Sequence, residues 1–167
     1  MGLLFLRKGN VMKKELSKAV LVDIDGTLVE ITEFDYSVFG KDKEVVSEYL
    51  KEWDKNTLDA KVLVGGVEKL VEFKEMGYKL IFLTARGQSC KKYTWMKMKE
   101  LGIDGLVDGM WHRPVRWEGK KSSLYKAAMI KMLMKKYDFE WAMDDEDGNL
   151  EIMKGFGMKV IDAKGWW

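Results

Sequence analysis

The stretch "LVDIDGTLVE" (residues 21–30) sets two carboxylates, Asp23 and Asp25, two positions apart where an apolar run stops, with Gly26 and Thr27 directly behind them. A strand interior rejects Asp, and neighbouring carboxylates repel unless a cation neutralises them. A second acidic pair, Asp144 and Asp145, closes the run "FEWAMDD", and Thr84 closes a third, "YKLIFLT". Side by side in one sheet, these runs would bring four carboxylates and a hydroxyl to one edge. Hard oxygen ligands with no His or Cys among them point to Mg²⁺. A calcium loop of the EF-hand type fails, because its Gly and Glu places hold Leu28 and Phe34 after Asp23, and Leu150 and Phe156 after Asp145. A merely polar strand end would explain one acidic pair but not two at matching positions.

A metal beside a carboxylate nucleophile suggests phosphoryl transfer. Asp is ionised at neutral pH without help, so Asp23 can attack phosphorus and form an aspartyl-phosphate. Asp25 can protonate the leaving oxygen and then activate a water. Gly26 lets the backbone turn tightly enough to aim both side chains. The developing charge also needs a hydroxyl, supplied by Thr84, and a fixed cation. Lys126 shares a helical face with Met129, Ile130, Leu133 and Tyr137 and so points inward; Lys120 and Lys121, in the preceding loop, are the alternatives.

The elements that must position these residues follow from periodicity. Residues 18–24, 78–84, 106–112, 139–145 and 158–163 read as strands. Val46, Tyr49, Leu50 and Trp53 give an amphipathic helix within 41–55, and Val67, Leu70 and Val71 another that Gly77 ends. Residues 88–102 predict a helix closed by Gly102, residues 121–137 one capped by Ser122 or Ser123, and residues 149–155 a last one. Alternating strands and helices predict an α/β fold, a five-stranded parallel sheet with helices on both faces. Ligands gather beyond the carboxyl ends of such strands, where the strand order reverses. With one Pro and no repeat or linker, residues 1–167 are expected to form a single Rossmann-like domain, with a core at 19–162 and an N-terminal extension at 1–17. Residues 26–78 allow a small elaboration, so a minimal cap or none is expected.

Composition narrows the class. The chain is 47% hydrophobic and 34% charged, as an ordinary globular protein is, and no apolar run reaches membrane length. A single Cys, Cys90, excludes an internal disulfide framework and suits a cytoplasmic location. The net charge of +2 hides an asymmetry: residues 91–136 hold twelve Lys or Arg against four Asp or Glu, with Trp95, Trp111 and Trp117 among them. That segment reads either as solvated helix faces or as a cationic, aromatic surface for a polyanion.

These motifs resemble the haloacid dehalogenase (HAD) superfamily of phosphohydrolases: "DIDGTL" its first motif, "FLTAR" its Ser/Thr motif, Lys126 its Lys motif and "MDDEDGN" its acidic motif. The resemblance implies Asp23 as nucleophile and Asp25 as acid/base, with Gly26 and Thr27 completing the phosphate-binding motif. It implies Mg²⁺ held by the Asp23 carboxylate, the Asp25 backbone carbonyl and Asp145, with Asp144 supporting the metal waters and Lys126. Within the superfamily the chain is most similar to the 3′-phosphatase domains of phage-type polynucleotide kinases, through "LVDIDGTL", "TAR", "MWHRP" and "SSLYKAAMI". That narrower likeness implies nucleic-acid 3′-phosphate ends as substrate, contacted by Arg86 and Arg113. Departures are the lack of an Arg in "VEITEFDY" and Glu146 in place of an Arg after the acidic pair. No GxxxxGK[ST] accompanies the motifs, so no fused P-loop kinase is expected. A phosphatase of nucleotides or other small phosphomonoesters is the alternative, and a phosphate-end binding module without turnover is a second.

Overall fold

The first apolar run becomes the middle of a sheet. In this computed structural model, which describes residues 15–167, the five strands are β1 (Ser17–Val22), β2 (Lys79–Gly87), β3 (Gly109–Arg113), β4 (Tyr137–Asp144) and β5 (Lys159–Asp162). They pair in parallel in the order β3-β2-β1-β4-β5, which is the predicted α/β architecture. The expected N-terminal extension lies outside the described residues up to position 14. Ala19, Val20, Leu21 and Val22 of β1 are wholly buried, the unbroken apolar run that a parallel strand covered on both faces demands.

Among the described residues the α-helices are α1 (Lys43–Asn56), α2 (Val64–Glu75), α3 (Lys91–Glu100), α4 (Ser122–Leu133) and α5 (Asp147–Gly155), and α2 to α5 cover the sheet. Successive β1 side chains point to opposite faces. Ala19 and Leu21 pack with Tyr125, Ile130 and Leu133 of α4 and Met153 of α5. Val20 and Val22 pack with Leu70 and Phe73 of α2 and Met98 of α3. Handedness explains the partition: right-handed connections running outward from β1 to β3 cover one face, and those returning through β4 to β5 cover the other. The chain leaves β1 on the β2 side and returns on the β4 side, so the topological switch point lies at the carboxyl end of β1. None of the described helices is long and apolar enough to cross a membrane.

Gly77 and Gly102, with φ of +90° and +71°, end α2 and α3 in the left-handed conformation expected of such stops. The serine cap of α4 is not made. Lys121 occupies the cap position without a side-chain bond, while Ser122 Oγ accepts a hydrogen bond from Asn149 Nδ2 at 3.4 Å. The elaboration between β1 and β2 is α1 with the loop before it. Trp53 Nε1 donates to the Glu33 carbonyl at 3.0 Å, and Phe34 meets the rings of Tyr36, Phe39, Tyr49 and Trp53 at 4.8, 5.6, 5.3 and 5.5 Å.

The basic segment 91–136 does not form one surface. Its two helices lie on opposite faces of the sheet, α3 with the α2 core and α4 with the α5 core. Trp95, Trp111 and Trp117 are half-buried against those cores rather than presented to solvent. Lys97 is buried and donates to the Leu58 carbonyl at 2.8 Å.

Candidate active site

The turn after β1 is built to aim carboxylates. Asp23 N–H still donates to the Met143 carbonyl, extending the ladder with β4, and then the backbone turns so that Leu28 N–H reaches the Ile24 carbonyl at 2.8 Å. Gly26 sits at φ +78°, and a Cβ there would collide with the Asp145 carboxylate. Glycine thus lets the two acidic loops touch. From the other side α2 presses Gly66 against the Thr27 carbonyl, so closely that a Cβ on Gly66 would collide with it.

Asp23, Asp144 and Asp145, all buried, place a carboxylate oxygen of each within 4.8 Å of the others. Lys126, 1% exposed, reaches in from α4 and donates to Asp23 Oδ1 at 2.8 Å and Asp144 Oδ2 at 2.6 Å. Thr27 Oγ1 donates to Asp23 Oδ2 at 3.1 Å. Asp144 is further held by the backbone N–H groups of Asp145 and Glu146 and by Asn149 Nδ2. Burial, followed by the charge of Asp144, drives the Asp23 carboxyl well above the usual carboxylate range, against the pull of Lys126. Its two carboxylate neighbours hold Lys126 charged despite burial. Three carboxylates thus crowd one ammonium, which bonds two of them. Their oxygen-only donor set, short of two positive charges, fits a hard divalent cation.

Asp25 points elsewhere. Its two oxygens accept from Arg86 Nε at 2.8 Å and Nη2 at 2.7 Å, a bidentate pair across the β1–β2 edge. Arg86 lines the cleft, but its side chain is wholly buried and its Nη1 is spent on Thr94. Thr84 is also buried, and its Oγ1 accepts the Arg86 backbone N–H at 3.1 Å, which leaves its own O–H to donate. Arg113 donates from Nη1 to the Lys120 carbonyl at 3.0 Å and lies 5.3 Å over the Tyr125 ring.

Asp23, Asp25, Arg86, Arg113, Lys126 and Asp145 line one cleft of about 840 Å³. Lys120 and Lys121 join them, while Ile31, Phe34, Tyr36, Phe39, Leu50 and Trp53 form an aromatic and aliphatic wall. Lys91 and Lys92 are absent from it. The wall lies outside the catalytic motifs, and its signal in the sequence is the set of five aromatic residues within 34–53. Asn149, one turn beyond the acidic pair, is a further site residue that the motifs do not mark. Cys90 is fully buried and its thiol is pushed up to about 11 by burial, which disqualifies it as a nucleophile.

No curated protein sequence matches the chain. Among solved structures, a chain of the Pnkp1/Rnl/Hen1 complex aligns with a TM-score of 0.65 and 21% identity, over 89% of this chain and 45% of that one. A predicted phosphatase from Clostridium acetobutylicum gives 0.61 and 15%, over 89% and 85%. The Class C acid phosphatase from Bacillus anthracis with tungstate bound gives 0.60 and 13%, over 89% and 66%. The chain thus spans under half the length of the Pnkp1-complex chain it resembles. These likenesses establish the fold. The family itself is fixed by sequence: residues 3–158 match it, and the chain belongs to the HAD superfamily, subfamily IIIB (acid phosphatase).

Proposed function

We propose that this HAD-family phosphatase hydrolyses phosphomonoesters with Mg²⁺ through an aspartyl-phosphate on Asp23, and that its substrates are nucleic-acid 3′-phosphate ends. The observation that carries the reading is the make-up of one cleft: a carboxylate–lysine cluster, an aromatic wall, and Arg113, Lys120 and Lys121 at its border. An Asp23 oxygen attacks phosphorus, the bond to the leaving oxygen breaks, and that oxygen takes a proton from Asp25. Water then attacks the aspartyl-phosphate, gives a proton back to Asp25 and releases inorganic phosphate. Lys126 holds the attacking carboxylate in place and stays charged throughout. Mg²⁺, held by Asp23 and Asp145 with Asp144 behind, would place positive charge against the phosphate oxygens.

The aromatic wall supports a leaving group with a ring, which a nucleoside supplies. The cationic border suits a neighbouring backbone phosphate, and the structural likeness to a chain of an RNA repair complex favours nucleic-acid ends. The cleft volume and the acid phosphatase family favour a second reading, a single nucleotide or other small ester.

The deciding experiment compares kcat/KM for a 3′-phosphorylated oligonucleotide and for the matching mononucleotide across a salt series. Each backbone contact should add a slope of roughly −0.7 in log affinity per log salt on single strands. The expected result is an oligonucleotide advantage that shrinks with salt. Equal turnover without a differential salt effect moves the assignment to the small ester. No turnover of any phosphomonoester overturns both.

A further inference from the structure

Behind Arg86 lies a chain of buried polar groups that the chemistry above leaves unused. Arg86 Nη1 donates to Thr94 Oγ1 at 3.2 Å. Thr94 is wholly buried on α3, and its single hydroxyl hydrogen goes to the Cys90 carbonyl at 3.2 Å. Its oxygen can therefore only accept from its other neighbours. One is Arg86, and the other is His112 Nε2 on β3, at 3.0 Å. With the Thr94 hydrogen on Cys90, His112 is assigned as the Nε2 donor, and its buried Nδ1 has no partner among the described residues. An imidazole in that position meets two conditions at once: it donates to Thr94 and stays uncharged beside Arg86. Burial and the Arg86 charge lower its pKa to about 4, which keeps it neutral through the physiological range.

The connected path runs from an outer strand to the loop after the central one: His112 on β3, Thr94 on α3, Arg86 on β2, Asp25 after β1. Lys126 bonds Asp23 and Asp144 but not Asp25, both of whose oxygens are taken by Arg86. The bidentate pair with Asp25 sets the guanidinium plane from the front, and Thr94 holds the same group from behind. Without Thr94, Nη1 would be buried without an acceptor, and the guanidinium would gain by swinging towards the cleft. Proton transfer tolerates little misplacement, so what fixes Arg86 also fixes the aim of Asp25.

We propose that Thr94 and His112 are positioning residues that hold Asp25 in its acid/base geometry through Arg86. This rests on the phosphatase reading given above. The role is specific to proton transfer. An ester with a poor leaving group needs a proton in the step that kcat/KM reports, whereas an aryl phosphate with a good leaving group does not.

The test pairs kinetics with a spectroscopic readout that needs no turnover. Thr94→Val should lower kcat/KM for a nucleoside 3′-phosphate by about tenfold or more, and that for p-nitrophenyl phosphate far less. Thr94→Ser, which keeps the hydroxyl, should recover most of the loss. His112→Gln, which can keep an N–H near the Nε2 position, should outperform His112→Leu in the same way. Parallel losses on both esters, or a Ser variant no better than Val, would overturn the proposal. If the Val variant fails to fold, the Ser and Gln variants carry the comparison against wild type. Because His112 is the chain's only histidine, its ¹⁵N imidazole signals are assigned without ambiguity. They should report the Nε2–H tautomer at neutral pH; an Nδ1–H tautomer overturns the brace whatever the kinetics. A wild type inactive on both esters contradicts the phosphatase reading alone, and the tautomer then still decides the brace.

Discussion

Lys126 serves two carboxylates at once, and this crowding governs what single substitutions should do. Asp23→Asn removes the nucleophile, so hydrolysis of p-nitrophenyl phosphate should fall to background. It also removes one charge from a buried cluster in which burial and Asp144 already disfavour the ionised form. Its melting temperature should therefore match or exceed that of the wild type, as calorimetry without metal would show. Lys126→Met should do the reverse, leaving two buried carboxylates uncompensated at a cost on the order of 3–5 kcal/mol. His112 sets a separate pH dependence. Its imidazole binds a proton at about 4 in the folded chain, below the ordinary 6.5 expected when unfolded. The unfolded chain therefore holds the extra proton between those values, and stability should decline as pH falls from 6.5 towards 4 by on the order of 3 kcal/mol. Urea titrations of wild type and His112→Gln across that window should diverge, with the Gln variant less sensitive. At this scale the spacing of "DIDGT" and the inward helical face of Lys126 were legible in the sequence. Thr94 and His112 were not, because a polar residue in a helix or strand says nothing about partners brought to it by tertiary folding.

The helices and their loops decide what reaches the reacting groups. The segment joining β1 to α1 contributes a wall of rings, and Tyr36, 76% exposed, is the most exposed of them. Tyr36→Ala should thus leave the fold intact while raising KM for a nucleoside phosphate roughly 5- to 150-fold, the scale of losing a stacked base at about 1–3 kcal/mol. Glycerol phosphate, which has no ring, should be indifferent to the change. Packing of α2 on the nucleophile turn makes a second demand. Gly66→Ala would drive a methyl into the Thr27 carbonyl, with an expected loss of roughly 1–3 kcal/mol in a thermal melt. The order and type of the elements could be read from apolar periodicity and glycine stops. The α4 cap could not, since Ser122 has a choice between its own helix and Asn149, and only the approach of α5 offers the second partner.

For the molecule as a whole, the sheet order turns a linear charge pattern into two unrelated surfaces. Residues 91–136 look like one cationic stretch in the sequence, yet the reversal at β3 sends α3 and α4 to opposite faces. Linear charge counting cannot see that reversal, whereas the right-handed connection rule can. The acidic loops are joined at the same scale. Trp167 Nε1 donates to the Gly26 carbonyl and Lys164 Nζ to the Asp145 carbonyl, both at 2.9 Å, so the final turn ties the two loops together. A divalent cation bound between those loops should stabilise the entire fold, by about 2.7 kcal/mol at a hundredfold excess over its Kd. Mg²⁺ should raise the melting temperature and EDTA reverse the gain; a melting curve indifferent to both would refute the metal site. The central place of β1 also has a bearing on how the protein is made. On a ribosome adding about 5–20 residues per second, the nucleophile strand emerges long before β4, its later neighbour. For roughly 6–24 s, one side of "AVLV" has no partner, and a bare apolar strand edge invites other chains. The carboxylates that follow it, Asp23 and Asp25, stand guard against such pairing during synthesis before they have any chemistry to perform.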